Sequence, residues 1–423
     1  MVAKRVRLDY GERGLDVDLP DSAVVIEPQH VPGLDDEPAR IVESLRRPIA
    51  GPALATLARG TRNAVIVFSD LTRPVPNARL LPPILEELRL AGLRNEQITL
   101  LNATGLHRPN TPAELESMLG RDVVTAYRVV NHDARDESSL VSVGSSAYGT
   151  DIVLNRIYVD ADLRITTGFI EPHFFAGFSG GGKSLLPGIA GEVTVLRNHD
   201  VQRIGHPNAR WGYTYGNPVF DENRLAASIA PPAFIVNVAL NRQREVTRVF
   251  AGELRAAHDA GCEFVRSTAM QPVRQPFDAV VTTNSGYPLD INVYQAVKGM
   301  SAAAQIVRKG GDIVIAAECR EGLGQPAFAE ILRAGRSPRD WMELIGAPGY
   351  LKADQWEVQV LASILDHARV HIYSDRLDPA DAADALLEPA DSIDATVAEL
   401  DYIGARIGVL PQGPLTIPYL TPD

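Results

Sequence analysis

The chain has 423 residues, 45% apolar and 22% charged, with 41 basic residues against 53 acidic ones and a net charge of −12. That composition excludes a mostly disordered chain, and an acidic chain without a long basic run lacks the electrostatic footprint of a nucleic-acid binder. Cys262 and Cys319 are too few for a disulfide framework or a cysteine zinc site, no apolar stretch approaches a membrane span, and the N-terminus carries no apolar leader, so a cytoplasmic location is expected.

At roughly 150 residues per domain, the length points to two or three domains. The first 60 residues read as a short β-region around Val24-Val25-Ile26, followed by a helix near Glu37 to Arg47. Ala64-Val65-Ile66-Val67-Phe68 is a strand-type apolar run ending in the loop Ser69-Asp70-Leu71-Thr72-Arg73-Pro74. Arg79 to Ala91 carries leucines at helical spacing and closes at Gly92; Ile98 to Leu101 is the next strand and ends in Asn102-Ala103-Thr104-Gly105-Leu106-His107. Thr111-Pro112-Ala113-Glu114 then opens a helix with a capping box and a proline at its first position. Strands alternating with helices predict an α/β fold with largely parallel sheets, whose ligands sit beyond the carboxyl ends of the strands. A further strand, Leu163 to Gly168, runs into Glu171-Pro172-His173 and a glycine-rich loop, so three strand ends deliver polar residues to what one crevice could hold.

Gln271-Pro272-Val273-Arg274-Gln275-Pro276 breaks the periodicity and suggests a boundary, with domains at 1–270 and 271–423. Beyond it, Asp278 to Thr282 is read as a strand, Asp290 to Arg308 as a helix and Asp312 to Ala316 as a strand, a second β-α-β unit. Asp378 to Asp394, acidic and alanine-rich, is read as a solvated helical face.

Gly177-Phe178-Ser179-Gly180-Gly181-Gly182-Lys183-Ser184 satisfies the phosphate-loop pattern letter for letter, which keeps an ATPase or kinase open as an alternative. The pattern needs a strand directly before it and a sustained helix directly after, yet Pro172 interrupts the first and Pro187-Gly188 the second. Of nine histidines, His30, His132, His206, His258, His367 and His371 lack a partner pattern and are read as surface or satisfied core positions. His107, His173 and His199 stand in strand-end or glycine-rich settings and, with Asp70, Thr72 and Arg73, describe a site with bases, a possible metal ligand and an anion binder. Gln295 and Lys298, in Tyr294-Gln295-Ala296-Val297-Lys298-Gly299, share a helix face at i and i+3.

Taken in order, Ser69 to Pro74, Thr104-Gly105-Leu106-His107-Arg108, Glu171-Pro172-His173-Phe174, Gly180 to Ser184, Arg197-Asn198-His199 and Tyr294 to Gly299 resemble the nickel-pincer lactate racemase family, as does Asp354-Gln355-Trp356-Glu357. The match runs from about residue 60 to 360, and six motifs in order are specific where each alone is weak.

The resemblance implies two α/β domains with the site in the cleft between them, and a racemase or epimerase acting on lactate or a related 2-hydroxy acid. It implies a nickel-pincer nucleotide, pyridinium-3,5-bisthiocarboxylic acid mononucleotide, linked to Lys183, with His199 as the protein ligand to nickel. It matches His107 and His173 to the acid/base pair, and Asp70, Leu71, Thr72, Arg73 and Trp356 to positions near the cofactor. Arg73, Tyr294, Gln295 and Lys298 match substrate-contacting positions. Hydride transfer through a 2-keto acid would be the chemistry, and maturation proteins would load the cofactor. A nickel-cofactor carrier without racemase activity is the second alternative.

Overall fold

In the computed structural model, which describes residues 3–421, the run Ala64–Ser69 is a central strand of a six-stranded sheet. Its β-branched residues are buried on both sides, as a strand covered on both faces requires. Ile66 and Phe68, with Leu100 of the neighbouring strand, enter one core with Ile41, Leu45, Leu80 and Ile84 from the covering helices. Val65, Val67 and Leu101 enter the opposite core with Tyr158, Leu186, Val195 and Ala226. Each such side chain contributes on the order of 1.5–3 kcal/mol when fully buried.

Across the sheet the strands run Val246–Gly252, Phe234–Leu240, Leu163–Phe169, Ala64–Ser69, Ile98–Ala103 and Arg128–Asn131. All pairings are parallel except that of the edge strand Val246–Gly252. From Ala64–Ser69 the chain steps outward twice in one direction and then returns to place Leu163–Phe169 on the other side. The reversal lies between these two strands, so the loops after Ser69 and Phe169 flank a topological switch point. The helix Pro112–Leu119 carries the expected capping box: Glu114 N–H donates to Thr111 Oγ1 at 3.3 Å and Thr111 N–H to Glu114 Oε2 at 2.8 Å.

The second sheet is parallel throughout, in the order Glu388–Pro389, Arg369–Tyr373, Val307–Ala316, Phe277–Thr283, Ile407–Leu410 and Val24–Val25. Two units result: residues 30–199 with 206–267, and residues 1–29 with 200–205 and 268–423. The first 29 residues, expected with the N-terminal domain, therefore pack with the C-terminal one. Val24–Val25 pairs with Ile407–Leu410, and the hairpin Ala3–Leu8/Leu15–Pro20 buries Leu8, Val17 and Leu19 with Val281, Val314 and Val409. The segment 200–205 belongs to the same unit, where Gln359 Nε2 donates to Val201 O at 2.9 Å.

Two further expectations give way. Met270–Val273, read as a break in periodicity, is a strand paired with Ile417–Leu420. The acidic stretch 378–394 is not one helical face: it forms the helix Pro379–Asp384, the short strand Glu388–Pro389 and the start of the helix Ile393–Tyr402. Composition told of its solvation but not of the strand position that 388–389 takes beside Arg369–Tyr373. No helix among the described residues is long and apolar enough to cross a membrane.

Candidate active site

The loop after Ser69 turns back on itself: Arg73 N–H donates to Asp70 O at 3.2 Å, and Thr72 Oγ1 donates to Asp70 Oδ1 at 2.8 Å. The other carboxylate oxygen, Oδ2, lies 2.8 Å from His107 Nδ1 at the end of the next strand. Asp70 is buried, His107 exposed. Burial alone would favour the neutral acid, but the His107 hydrogen bond and charge, with Arg73 and Thr72, outweigh it and hold the Asp70 carboxyl below its usual value. An ionised Asp70 only accepts, so His107 Nδ1 carries a proton and the lone pair of the neutral ring sits on Nε2. Asp70, expected at the cofactor, is thus first of all the partner of a histidine. The Leu71 and Thr72 side chains are exposed, and Arg73 is half-buried.

The second cluster follows Phe169. Pro172–His173 and Gly177–Phe178 form a two-residue hairpin, after which Gly181–Ser184 makes a single 3-10 turn. Lys183 Nζ lies 3.1 Å from His173 Nε2 and 5.6 Å from the centre of the Phe175 ring. Ala176 N–H points at His173 Nδ1 at 3.2 Å. A neutral imidazole has one accepting nitrogen, so the backbone N–H and a Lys183 ammonium compete for His173. Phe175 also meets the His173 ring edge-on at 4.6 Å and the His199 ring at 5.2 Å. His199, buried at the end of the helix Glu192–Asn198, donates from Nδ1 to Val195 O at 3.0 Å, which leaves the lone pair of the neutral ring on Nε2. The two clusters are linked: Gly105 N–H donates to Gly188 O at 3.0 Å, and Gly188 N–H to Lys183 O at 3.1 Å.

The glycines of the loop serve packing. A Cβ at Gly182 would lie 2.5 Å from Asn223 O, one at Gly181 2.4 Å from His258 Nδ1, and one at Gly180 2.9 Å from Asn237 Oδ1. The loop thus closely approaches the helix Pro218–Ile229 and two buried side chains. His258, one of the histidines set aside, supports this loop through Nε2–H to Ser179 O at 2.9 Å. Burial pushes its imidazole down to about 4 and the Cys262 thiol, 3.6 Å away, up to about 12, opposite to what a thiolate–imidazolium pair needs. His206 is exposed and accepts from Asn208 N–H through Nδ1.

In the other unit, Lys298 Nζ donates to Gln295 Oε1 at 2.7 Å on the helix Val293–Ala304, the contact that their spacing predicts. Trp356, buried on the helix Gln355–His367, donates from Nε1 to Tyr294 Oη at 3.3 Å. These four positions form a polar and aromatic group of their own.

The lactate racemase of Lactiplantibacillus plantarum is 42% identical over 345 residues, 81% of each chain, and that of Thermoanaerobacterium thermosaccharolyticum 39% identical over 377 residues, 88% of each. The chain belongs to the lactate racemase family. Family models for the lactate racemase N-terminal and C-terminal domains match residues 10–212 and 273–416. The lactate racemase apoprotein structure from T. thermosaccharolyticum superposes with a TM-score of 0.92 at 37% identity, covering 98% of this chain and 100% of that one. A Thermotoga maritima protein shares the fold, with a TM-score of 0.70 at 21% identity over 92% of this chain and 100% of its own. As a family member the chain is an isomerase of the racemase type. Sequence reading missed what braces the loops at the carboxyl edge of the sheet: Asn102, Asn110 and Asn131, which share hydrogen bonds at the strand ends. Their one signal was asparagine at the carboxyl ends of two adjacent strands.

Proposed function

We propose that this chain inverts the C2 centre of lactate or a related 2-hydroxy acid, with His107 and His173 as acid/base groups and a nickel-pincer nucleotide tethered to Lys183. The observation that carries the reading is the pair of histidines at one sheet edge, one held by Asp70 and the other beside the lysine. The donor set fits such a cofactor. Among the described residues no group of three His, Cys, Asp or Glu side chains could hold a bare metal ion. A buried imidazole with its Nδ1–H engaged suits a metal whose remaining donors come from an organic group. A phosphate-loop ATPase has less support, because a single 3-10 turn stands where its helix should begin.

The bound cofactor would supply a hydride acceptor for the α-hydrogen, whose removal as a proton is disfavoured beside a carboxylate. His107 takes the substrate hydroxyl proton on Nε2 while Asp70 steadies the imidazolium that forms. With hydride given back to the opposite face of C2 of the 2-keto acid, His173 would supply the proton to its oxygen, and the roles reverse for the opposite enantiomer. Linkage of Lys183 to the cofactor would remove its positive charge and leave one N–H donor beside the His173 ring in place of an ammonium. Arg73 binds the substrate carboxylate through a charge-assisted fork. Maturation proteins load the cofactor in the cytoplasm, where the unpaired, buried Cys262 and Cys319 stay reduced.

The test is isotopic. In D₂O, loaded enzyme should return product that keeps its α-hydrogen, and α-deuterated substrate should slow turnover. Rapid entry of solvent deuterium at C2 would refute hydride transfer.

A further inference from the structure

Three asparagines from three elements meet at the carboxyl edge of the six-stranded sheet that contains Ala64–Ser69. Asn102 lies in the strand Ile98–Ala103, Asn131 ends the strand Arg128–Asn131, and Asn110 stands in the loop three residues after His107. Asn102 and Asn110 are buried. Asn102 commits both amide hydrogens, donating from Nδ2 to Asn110 Oδ1 and to Asn131 Oδ1, each at 2.8 Å. Asn131 pairs with the Asn110 backbone as a strand neighbour would: its Nδ2 donates to Asn110 O at 2.9 Å, and its Oδ1 accepts from Asn110 N–H at 3.3 Å.

Asn110 Oδ1 takes one more donor, Leu71 N–H, at 3.3 Å. That amide belongs to the peptide bond that directly follows Asp70. Asn110 Nδ2 points at Glu114 Oε2 at 3.4 Å, and Arg108 and the Thr111 amide hold the Glu114 carboxyl down at about 2, so it remains an ionised acceptor. One carbonyl oxygen thus ties the Asp70 loop to a cluster anchored on the next two strands. Among the described residues, the Leu71–Asn110 and Asp70–His107 bonds are the hydrogen bonds that join loop 70–73 to loop 104–110. Loops leaving parallel strands share no ladder, so the 2.8 Å approach of an exposed histidine to a buried carboxylate needs such a spacer.

We propose that Asn110 is a positioning residue for the reaction: it sets the distance between the Asp70 and His107 loops and thereby keeps the His107 lone pair on Nε2. The inference rests on the acid/base reading of His107. The test has two readouts, one of which needs no cofactor. In apoprotein labelled with ¹⁵N-histidine, the His107 signals are assigned by their loss in His107→Gln and read where the ring is neutral. The wild type should show the Nδ1–H tautomer. Asn110→Leu should show a mixture, and Asn110→Asp, which keeps the accepting oxygen, should regain most of the wild-type tautomer. In loaded enzyme, Asn110→Leu should lower kcat about 10²-fold, the scale of an ångström-level misplacement, with KM little changed and partial recovery in Asn110→Asp.

A cluster that merely braces the sheet would lower the unfolding midpoint and leave the tautomer unchanged. A folded Asn110→Leu protein with the Nδ1–H tautomer intact overturns the proposal. Tautomer loss with unchanged kcat would instead uphold the positioning role and remove His107 from the chemistry. If Asn110→Leu does not fold, Asn131→Leu, which releases the Asn110 backbone, is read by the same two measurements and the same outcomes.

Discussion

Replacing Asp70 by asparagine keeps the side-chain shape and removes the charge that faces His107. In the proposed reaction His107 takes up a proton in the transition state, and the new imidazolium lies 2.8 Å from the carboxylate. At that separation the attraction is ~1.5 kcal/mol with the dielectric of water and ~6 kcal/mol at the effective value of about 20 suited to a protein surface. The Asp70 side chain is 4% exposed and that of His107 43%, so the interaction falls between these limits. At about 1.4 kcal/mol per factor of ten, kcat should fall between about 10- and 10⁴-fold in both directions. An amide can also turn its N–H₂ toward His107 and favour the unproductive tautomer, which pushes the loss toward the larger figure. The assay is the initial rate of interconversion, read with enantiomer-selective detection, on protein shown by mass to carry the Lys183 adduct. Asp70→Asn with a full adduct and kcat within about threefold of wild type would refute the pairing as part of catalysis. The same carboxylate has a stability signature. Its folded pKa lies below the unfolded value of about 3.9, so its contribution is present above that pH and lost as pH falls through the folded value. The urea stability of wild-type apoprotein relative to Asp70→Asn should therefore shrink as pH falls below about 4.

Protein made with the cofactor-building machinery should carry a mass adduct on the peptide containing Lys183, absent in Lys183→Ala; an unmodified lysine in fully active enzyme would remove this assignment. His199→Ala should lose bound nickel by metal analysis, whereas retention with normal activity would move the ligand elsewhere, His206 being the next to test. Gly182→Ala places a methyl 2.5 Å from Asn223 O and should cost about 1–3 kcal/mol in denaturant unfolding of the apoprotein; unchanged stability would contradict the packing role of that glycine.

Local sequence was enough for the α/β class, for most of the central strands and for the capping box at Thr111, because apolar runs, helical leucine spacing and Asx/Thr caps act over a few residues. It also showed that the phosphate-loop pattern lacked its helix, since Pro187 follows Lys183 by four residues. Ordered motifs pointed to the family, and with it to the histidines and the lysine. Tertiary structure alone decided that the first 29 residues join the C-terminal unit, because the pairing of Val24–Val25 with Ile407–Leu410 spans nearly the whole chain and leaves no trace in local periodicity. It alone decided why Gly180, Gly181 and Gly182 are glycine, since Asn237, His258 and Asn223 approach them from distant elements. And it alone showed that Asp70 faces His107 and that Asn110 spans the two loops: a hydrogen bond between strand ends depends on which strands are neighbours, and that is a property of the sheet rather than of any segment of sequence.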